Sequence, residues 1–133
     1  MCIYRYKELT EKSDVAYIAG GSVQNSLRVA QWIIQKPNVT TFFGSVGKDD
    51  FSKILADKAR SDGVNLRYQY QEDVPTGTCG VLLTGHHRSL CAYLGAANNF
   101  TIDHINLPEN KTFIKQAKYF YISVSYILLL YLT

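Results

Sequence analysis

The chain has 133 residues, 47% of them apolar, and a formal net charge of +3, enough for one domain with a real core. Its 14 basic and 11 acidic residues are scattered, and the ten tyrosines do not interleave with basic side chains, which argues against a nucleic-acid surface. Three cysteines, Cys2, Cys79 and Cys91, show no C-x-x-C spacing, which excludes a zinc knuckle or disulfide framework and fits reduced thiols in the cytoplasm or nucleus.

In chain order, Met1 to Asp14 is polar and mixed in charge, with a helical turn or two expected over Lys7–Lys12 and no apolar stretch of signal-peptide type. Val15 to Ile18 reads as a short strand. A helix follows from Ser22 to about Gln35, with Val23, Leu27, Ala30 and Ile34 on one face. Val29, Trp32 and Ile33 extend the apolar surface around it, so the helix is expected to be heavily buried. Pro37 stops it. Val39 to Val46 is a β-rich run of the kind covered on both faces of a parallel sheet.

Asp49 or Asp50 then caps a second helix, Phe51 to about Ser61, whose expected buried face is Phe51, Ile54, Leu55 and Ala59. Gly63 sits where a C-terminal glycine belongs. Strand, helix, strand, helix in this order implies βαβ units and an α/β class. Leu66–Gln71, Thr76–Thr84 and Ser89–Leu94 read as further strands, with Gly85-His86-His87-Arg88 as a hairpin-like connection. Leu107-Pro108-Glu109 opens a third helix running to about Ala117, and Lys118–Ser123 reads as another buried strand.

The chemistry concentrates at Gly20-Gly21-Ser22-Val23-Gln24-Asn25, between the first strand and the first helix. Two glycines without Cβ let a ligand approach the backbone. Ser22 is a good N-cap, and Asn25 lies one turn on with both a donor and an acceptor, suited to neighbouring sugar hydroxyls. A helix cap after a tight turn and a site for a hydroxyl-rich ligand are both open at this point. Gly44-Ser45-Val46-Gly47-Lys48-Asp49 has the wrong spacing for a phosphate-binding loop and is read as scaffold. Adjacent His86 and His87 and the isolated His104 have no carboxylate or thiol at ligand spacing, so no metal site is expected. In Ser89–Leu94, period-two spacing sends Leu90, Ala92 and Leu94 to one face.

Gly-Gly-Ser-Val-Gln-Asn-Ser followed by Val-Ala-Gln-Trp resembles the adenosine kinase branch of the ribokinase-like kinases, and the likeness runs from about Lys7 to about Ser123. The resemblance implies a partial ribokinase-like fold in a single domain, a parallel βαβ core with a small β lid within about 76–94. It implies ATP-dependent phosphorylation of the adenosine 5′-hydroxyl to AMP, with Mg²⁺, in purine salvage. Gly20, Gly21, Ser22 and Asn25 would bind the ribose. Cys79, Leu90, Ala92 and Leu94 would line the base pocket, and Arg88 would serve the phosphate side. Adenosine is the implied partner, with no nucleic acid, no membrane and a monomer for the intact enzyme. Gly-x-x-Gly-x-Asp at Gly44–Asp49 resembles a superfamily signature, with Ser52 where a glycine is usual.

The family's base is the Asp of a Gly-Ala-Gly-Asp, and no Gly-x-Gly-Asp occurs in this sequence. The ATP-binding portion and the first family strand also lack counterparts. The expectation is a truncated chain that is inactive alone, or alternatively a non-catalytic fragment that binds nucleoside or pairs with a kinase. A kinase for another nucleoside or sugar is the third reading. The tail Val124–Thr133 departs from the family and is expected to be a changed terminus or an aggregation-prone end, its apolar run falling short of the ~18–20 residues a spanning helix needs.

Overall fold

The computed structural model describes residues 15–123; the turns expected over Lys7–Lys12 and the tail from Val124 lie outside the described residues. The elements are α1 (Ser22–Ile34), β1 (Thr41–Gly47), α2 (Asp50–Ser61), β2 (Asn65–Gln71), β3 (Thr78–Thr84), β4 (His87–Tyr93), a 3-10 helix (Gly95–Asn99), α3 (Ile102–Asn106) and α4 (Pro108–Gln116). β1 and β2 pair in parallel, from Thr41 opposite Asn65 to Gly47 opposite Gln71, with α2 as their crossover. β3 and β4 form a separate antiparallel hairpin. The class is α/β, as the order of elements implies.

Local chemistry sets the βαβ unit. The Asp49 side chain accepts from the Ser52 N–H at 2.9 Å and starts α2, satisfying one of the free donors of a helix start. At the other end Gly63 takes φ 81°. Its N–H donates to the Arg60 carbonyl and the Val64 N–H to that of Ala59, the paired closure of a Schellman turn. The chain therefore reverses into β2 beside β1. Val46, Ala56 and Tyr68 form the core there, flanked by Phe42, Leu55 and Leu66. Phe42 meets Tyr68 edge-to-face at 5.8 Å, a favoured aromatic geometry.

Several expectations are corrected. Residues 15–20 carry no strand pairing, and Ile18 is 85% exposed; a strand needs a ladder partner, and β1 has its partner in β2. The helix α1 buries Gln24 and Gln31, while Trp32 is 71% exposed and Ile33 68%. Val23, Leu27 and Ala30 of the expected face are half-buried beside them, and the two glutamines can be buried because both find partners. Gln24 Nε2 donates to the Leu55 carbonyl at 3.2 Å, Tyr68 donates to Gln24 Oε1 at 2.5 Å, and Thr40 donates to Gln31 Oε1 at 3.1 Å. In α2, Ser52 and Ala56 are buried with Ala59, and Ile54 is exposed.

The C-terminal part also departs from expectation. The single helix expected from Leu107 to Ala117 is preceded by a separate α3, because Leu107 is extended (ψ 137°) and Pro108 starts α4 afresh. Lys118–Ser123 is neither paired nor buried, with Tyr119, Phe120, Tyr121 and Ile122 all exposed. Its apolar content satisfies strand propensity, but among the described residues no strand pairs with it. Among the described residues no helix is long and apolar enough to cross a membrane.

Candidate functional site

The diglycine forms the entrance to α1. Gly21 takes φ 97°, and it rather than Ser22 occupies the cap position, without a side-chain cap bond. That correction follows from where the turn falls: φ > 0 is placed on the residue without a Cβ, which makes Ser22 the first residue of the helix. Among the described residues a Cβ at Gly20 would meet nothing within 4 Å, and at Gly21 only the Gln24 Cβ at 3.9 Å; Gly20 is half-buried and Gly21 exposed. Ser22 Oγ lies 3.3 Å from Ser123 Oγ.

Asn25 is held by neighbours that sequence spacing did not single out. Arg28 donates to Asn25 Oδ1 at 2.9 Å and to the Ala19 carbonyl at 3.4 Å. The Arg28 Nε is in turn 2.6 Å from Asp62 Oδ2. Asp62 is also paired with Lys58, and the Arg28 hydrogen bond is the main cause that holds its carboxyl below the ordinary carboxylate range. A carboxylate at the end of α2 thus fixes a guanidinium, which fixes the Asn25 amide and leaves its NH₂ group directed by a locked acceptor. The i, i+3 spacing of Asn25 and Arg28 was the available clue; Asp62 was not legible, since it arrives from another helix.

The second group lies on the hairpin. Cys79 is opposite Ala92, Val81 opposite Leu90, and Leu83 opposite Arg88. Directly opposed residues share a face, so Cys79, Leu90, Ala92 and Arg88 stand on one side of the hairpin together. Leu94 does not: it has left the strand for helical backbone, φ −76°, ψ −32°, at the head of the 3-10 helix. Cys79 and Leu90 are exposed rather than walled in, because no described element covers that face. The connection is a two-residue turn, Gly85-His86, and His87 and Arg88 already belong to β4.

Asp49 ties the hairpin root to the βαβ unit. Its Oδ1 accepts from the Thr76 hydroxyl and its Oδ2 from the Thr76 N–H, both at 2.7 Å. Burial by itself would raise the Asp49 pKa, but the bonds from Thr76, Ser52 and Phe51 outweigh it and hold the group below the ordinary range. Among the described residues no three His, Cys, Asp or Glu side chains converge as a metal site. A cavity of ≈ 220 Å³ opens beside β2, lined among others by Arg60, Arg67, Tyr70 and His104, away from the expected site residues.

A pfkB family carbohydrate kinase profile matches residues 2–132. The chain belongs to the pfkB family. It is 47% identical over 118 residues to adenosine kinase 2 of Arabidopsis thaliana, a match covering 89% of this chain and 34% of that protein. Among solved structures, the Anopheles gambiae adenosine kinase in complex with P1,P4-di(adenosine-5) tetraphosphate superimposes with a TM-score of 0.84 at 53% identity, over 87% of this chain and 34% of that one. The Schistosoma mansoni adenosine kinase in complex with adenosine, in an occluded loop conformation, gives 0.83 at 32% identity, over the same shares. This pfkB chain thus carries a partial ribokinase-like fold and spans about a third of the length of the relatives it matches.

Proposed function

We propose that this chain carries the nucleoside-binding part of an adenosine kinase, the ATP-dependent enzyme that phosphorylates the adenosine 5′-hydroxyl. The observation that supports the reading best is the Asp62–Arg28–Asn25 chain at the diglycine turn. A preoriented carboxamide beside two glycines that carry no side chain suits vicinal hydroxyls of a ribose. Gly20, Gly21, Ser22 and Asn25 are assigned to the sugar. Cys79, Leu90 and Ala92, on one face of the hairpin, are assigned to the purine as an apolar lid, with Leu94 at its root. Arg88, on the same face, is assigned to the phosphate side, where a fixed-charge fork matches phosphate oxygens. ATP and Mg²⁺ belong to this reading as co-substrate and cofactor of the whole enzyme. No described residue set is assigned to Mg²⁺.

No Gly-x-Gly-Asp occurs in the sequence, so the proposal assigns the 133-residue chain binding without transfer. The deciding experiment is calorimetric titration of the chain with adenosine, guanosine and ribose, beside an assay for AMP formed from labelled adenosine with ATP and Mg²⁺. Saturable binding of adenosine ahead of the other two, without AMP, is the expected result. Turnover near an ordinary enzyme's ~10 s⁻¹ would mean another group supplies the base. Equal binding of ribose and adenosine would move the reading to a sugar kinase.

A further inference from the structure

The hairpin leaves the body of the protein through a narrow root. Val74, Pro75 and Thr76 pass across the end of β1 so closely that a Cβ on Gly47 would lie 2.6 Å from the Val74 carbonyl. On the hairpin side, a Cβ on Gly77 would lie 2.6 Å from the Leu94 carbonyl, and one on Gly95 would run into that of Pro75. The Ala96 N–H donates to the same Pro75 carbonyl at 2.9 Å. Both strands of the hairpin therefore enter and leave at one point.

Thr76 is the hub of that point and is 3% exposed. Its hydroxyl accepts from the Gly47 N–H at 3.0 Å and donates to Asp49, while its own N–H donates to the other Asp49 oxygen. Asp49 spends its remaining capacity on the cap of α2. One carboxylate thus joins the end of β1, the start of α2 and the root of the hairpin. Beyond Thr76 the hairpin residues 81–90 are exposed throughout, so its orientation depends on the root.

The geometry points to Asp49 as a positioning residue: through Thr76 it fixes the angle at which the hairpin face bearing Cys79, Leu90, Ala92 and Arg88 is presented to the rest of the chain. The scaffold reading of Gly44–Asp49 is incomplete on this view, because the same carboxylate sets the pose of a lid. For its ligand arm alone the inference rests on the adenosine reading.

The test uses the full chain and two substitutions that spare the helix cap. Asp49→Asn keeps a carbonyl acceptor for the Ser52 N–H and the Thr76 hydroxyl, since Asn is as good a cap as Asp, but its NH₂ in the place of Oδ2 cannot accept from the Thr76 N–H. Thr76→Val removes the hydroxyl at constant shape. Residual dipolar couplings of the backbone amides are measured for residues 78–93 and for β1, α2 and β2. In the native chain both sets fit one alignment tensor. In either variant the hairpin couplings are expected to shrink together, by about half or more, while the others hold; Thr76→Ser, which keeps the hydroxyl that Thr76→Val removes, should retain the native couplings. Couplings that change across the whole protein alike, or nowhere, overturn the inference and leave Asp49 a plain stabiliser. A native chain that binds no adenosine defeats the proposed function but not this result. Where adenosine does bind, the affinity of both variants should fall several-fold.

Discussion

Tyr68 on β2 donates to Oε1 of Gln24 on α1 across 2.5 Å, and this bond does work that an apolar seam does in most helix-to-sheet contacts. Gln24 is 3% exposed and its amide nitrogen is already committed to the Leu55 carbonyl. Removing the phenol would strand a buried acceptor, at about 1–3 kcal/mol. Tyr68→Phe is therefore expected to lower the unfolding free energy by that amount, read as a lower urea midpoint at an unchanged slope. Adding Gln24→Met, which withdraws the stranded oxygen, should recover part of it. A single mutant within ~0.5 kcal/mol of native, the range of ordinary surface changes, would mean the bond is not made in solution.

The same tyrosine sets an alkaline limit. Burial, with Tyr70 beside it, pushes the Tyr68 pKa up from the ordinary phenol value of 10.0 to about 12. The folded state therefore favours the neutral phenol. Its contribution is complete below the unfolded pKa near 10 and is lost as pH rises from there through the folded value near 12. Unfolding curves between pH 8 and 12 should show native stability falling, and Tyr68→Phe should fall less over that interval. Parallel curves for the two proteins would contradict the assignment.

What was legible in the sequence follows from where the determining partners sit. Asp49, Gly63 and the β-rich run before them define β1, α2 and β2 through contacts a few residues away, and Gly85-His86-His87-Arg88 marked the hairpin, though only its first two residues form the turn. For α1 the half-buried Val23, Leu27 and Ala30 were legible, but the two residues that bury most fully were not. Periodicity weighs apolar residues, whereas the buried positions are Gln24 and Gln31, seven apart, whose partners Tyr68, Leu55 and Thr40 lie on other elements. The proposed site divides likewise: the diglycine and Asn25 stand out in the sequence, whereas the Asp62 that holds Asn25 through Arg28 is a tertiary contact. Leu94 was misplaced because alternation says nothing about where a strand ends.

Trp32 is the sole tryptophan and is 71% exposed on the outer side of α1, which makes it a reporter for that face. Acrylamide should quench nearly all of its fluorescence in the native chain, and unfolding should shift the emission little. Trp32→Lys should leave stability within ~0.5 kcal/mol of native. Emission that is protected from quencher would show that chain outside residues 15–123, or a second copy, covers the face.

Arg28 and Asp62 separate positioning from stability. Their side chains are 20% and 26% exposed, and partly solvated pairs contribute about 0–1 kcal/mol. Asp62→Ala should therefore cost little in a urea titration, with the further loss of its Lys58 pairing counted in the same small figure. Its effect on the proposed adenosine site should be larger. Without the carboxylate, Arg28 no longer holds the Asn25 oxygen in one place, and the amide becomes free to rotate. We expect Asp62→Ala and Arg28→Ala each to weaken adenosine binding several-fold, and the double mutant to weaken it no further than Arg28→Ala, since Asp62 acts through that arginine. Losses that add in full would show that Asp62 reaches the site by another route.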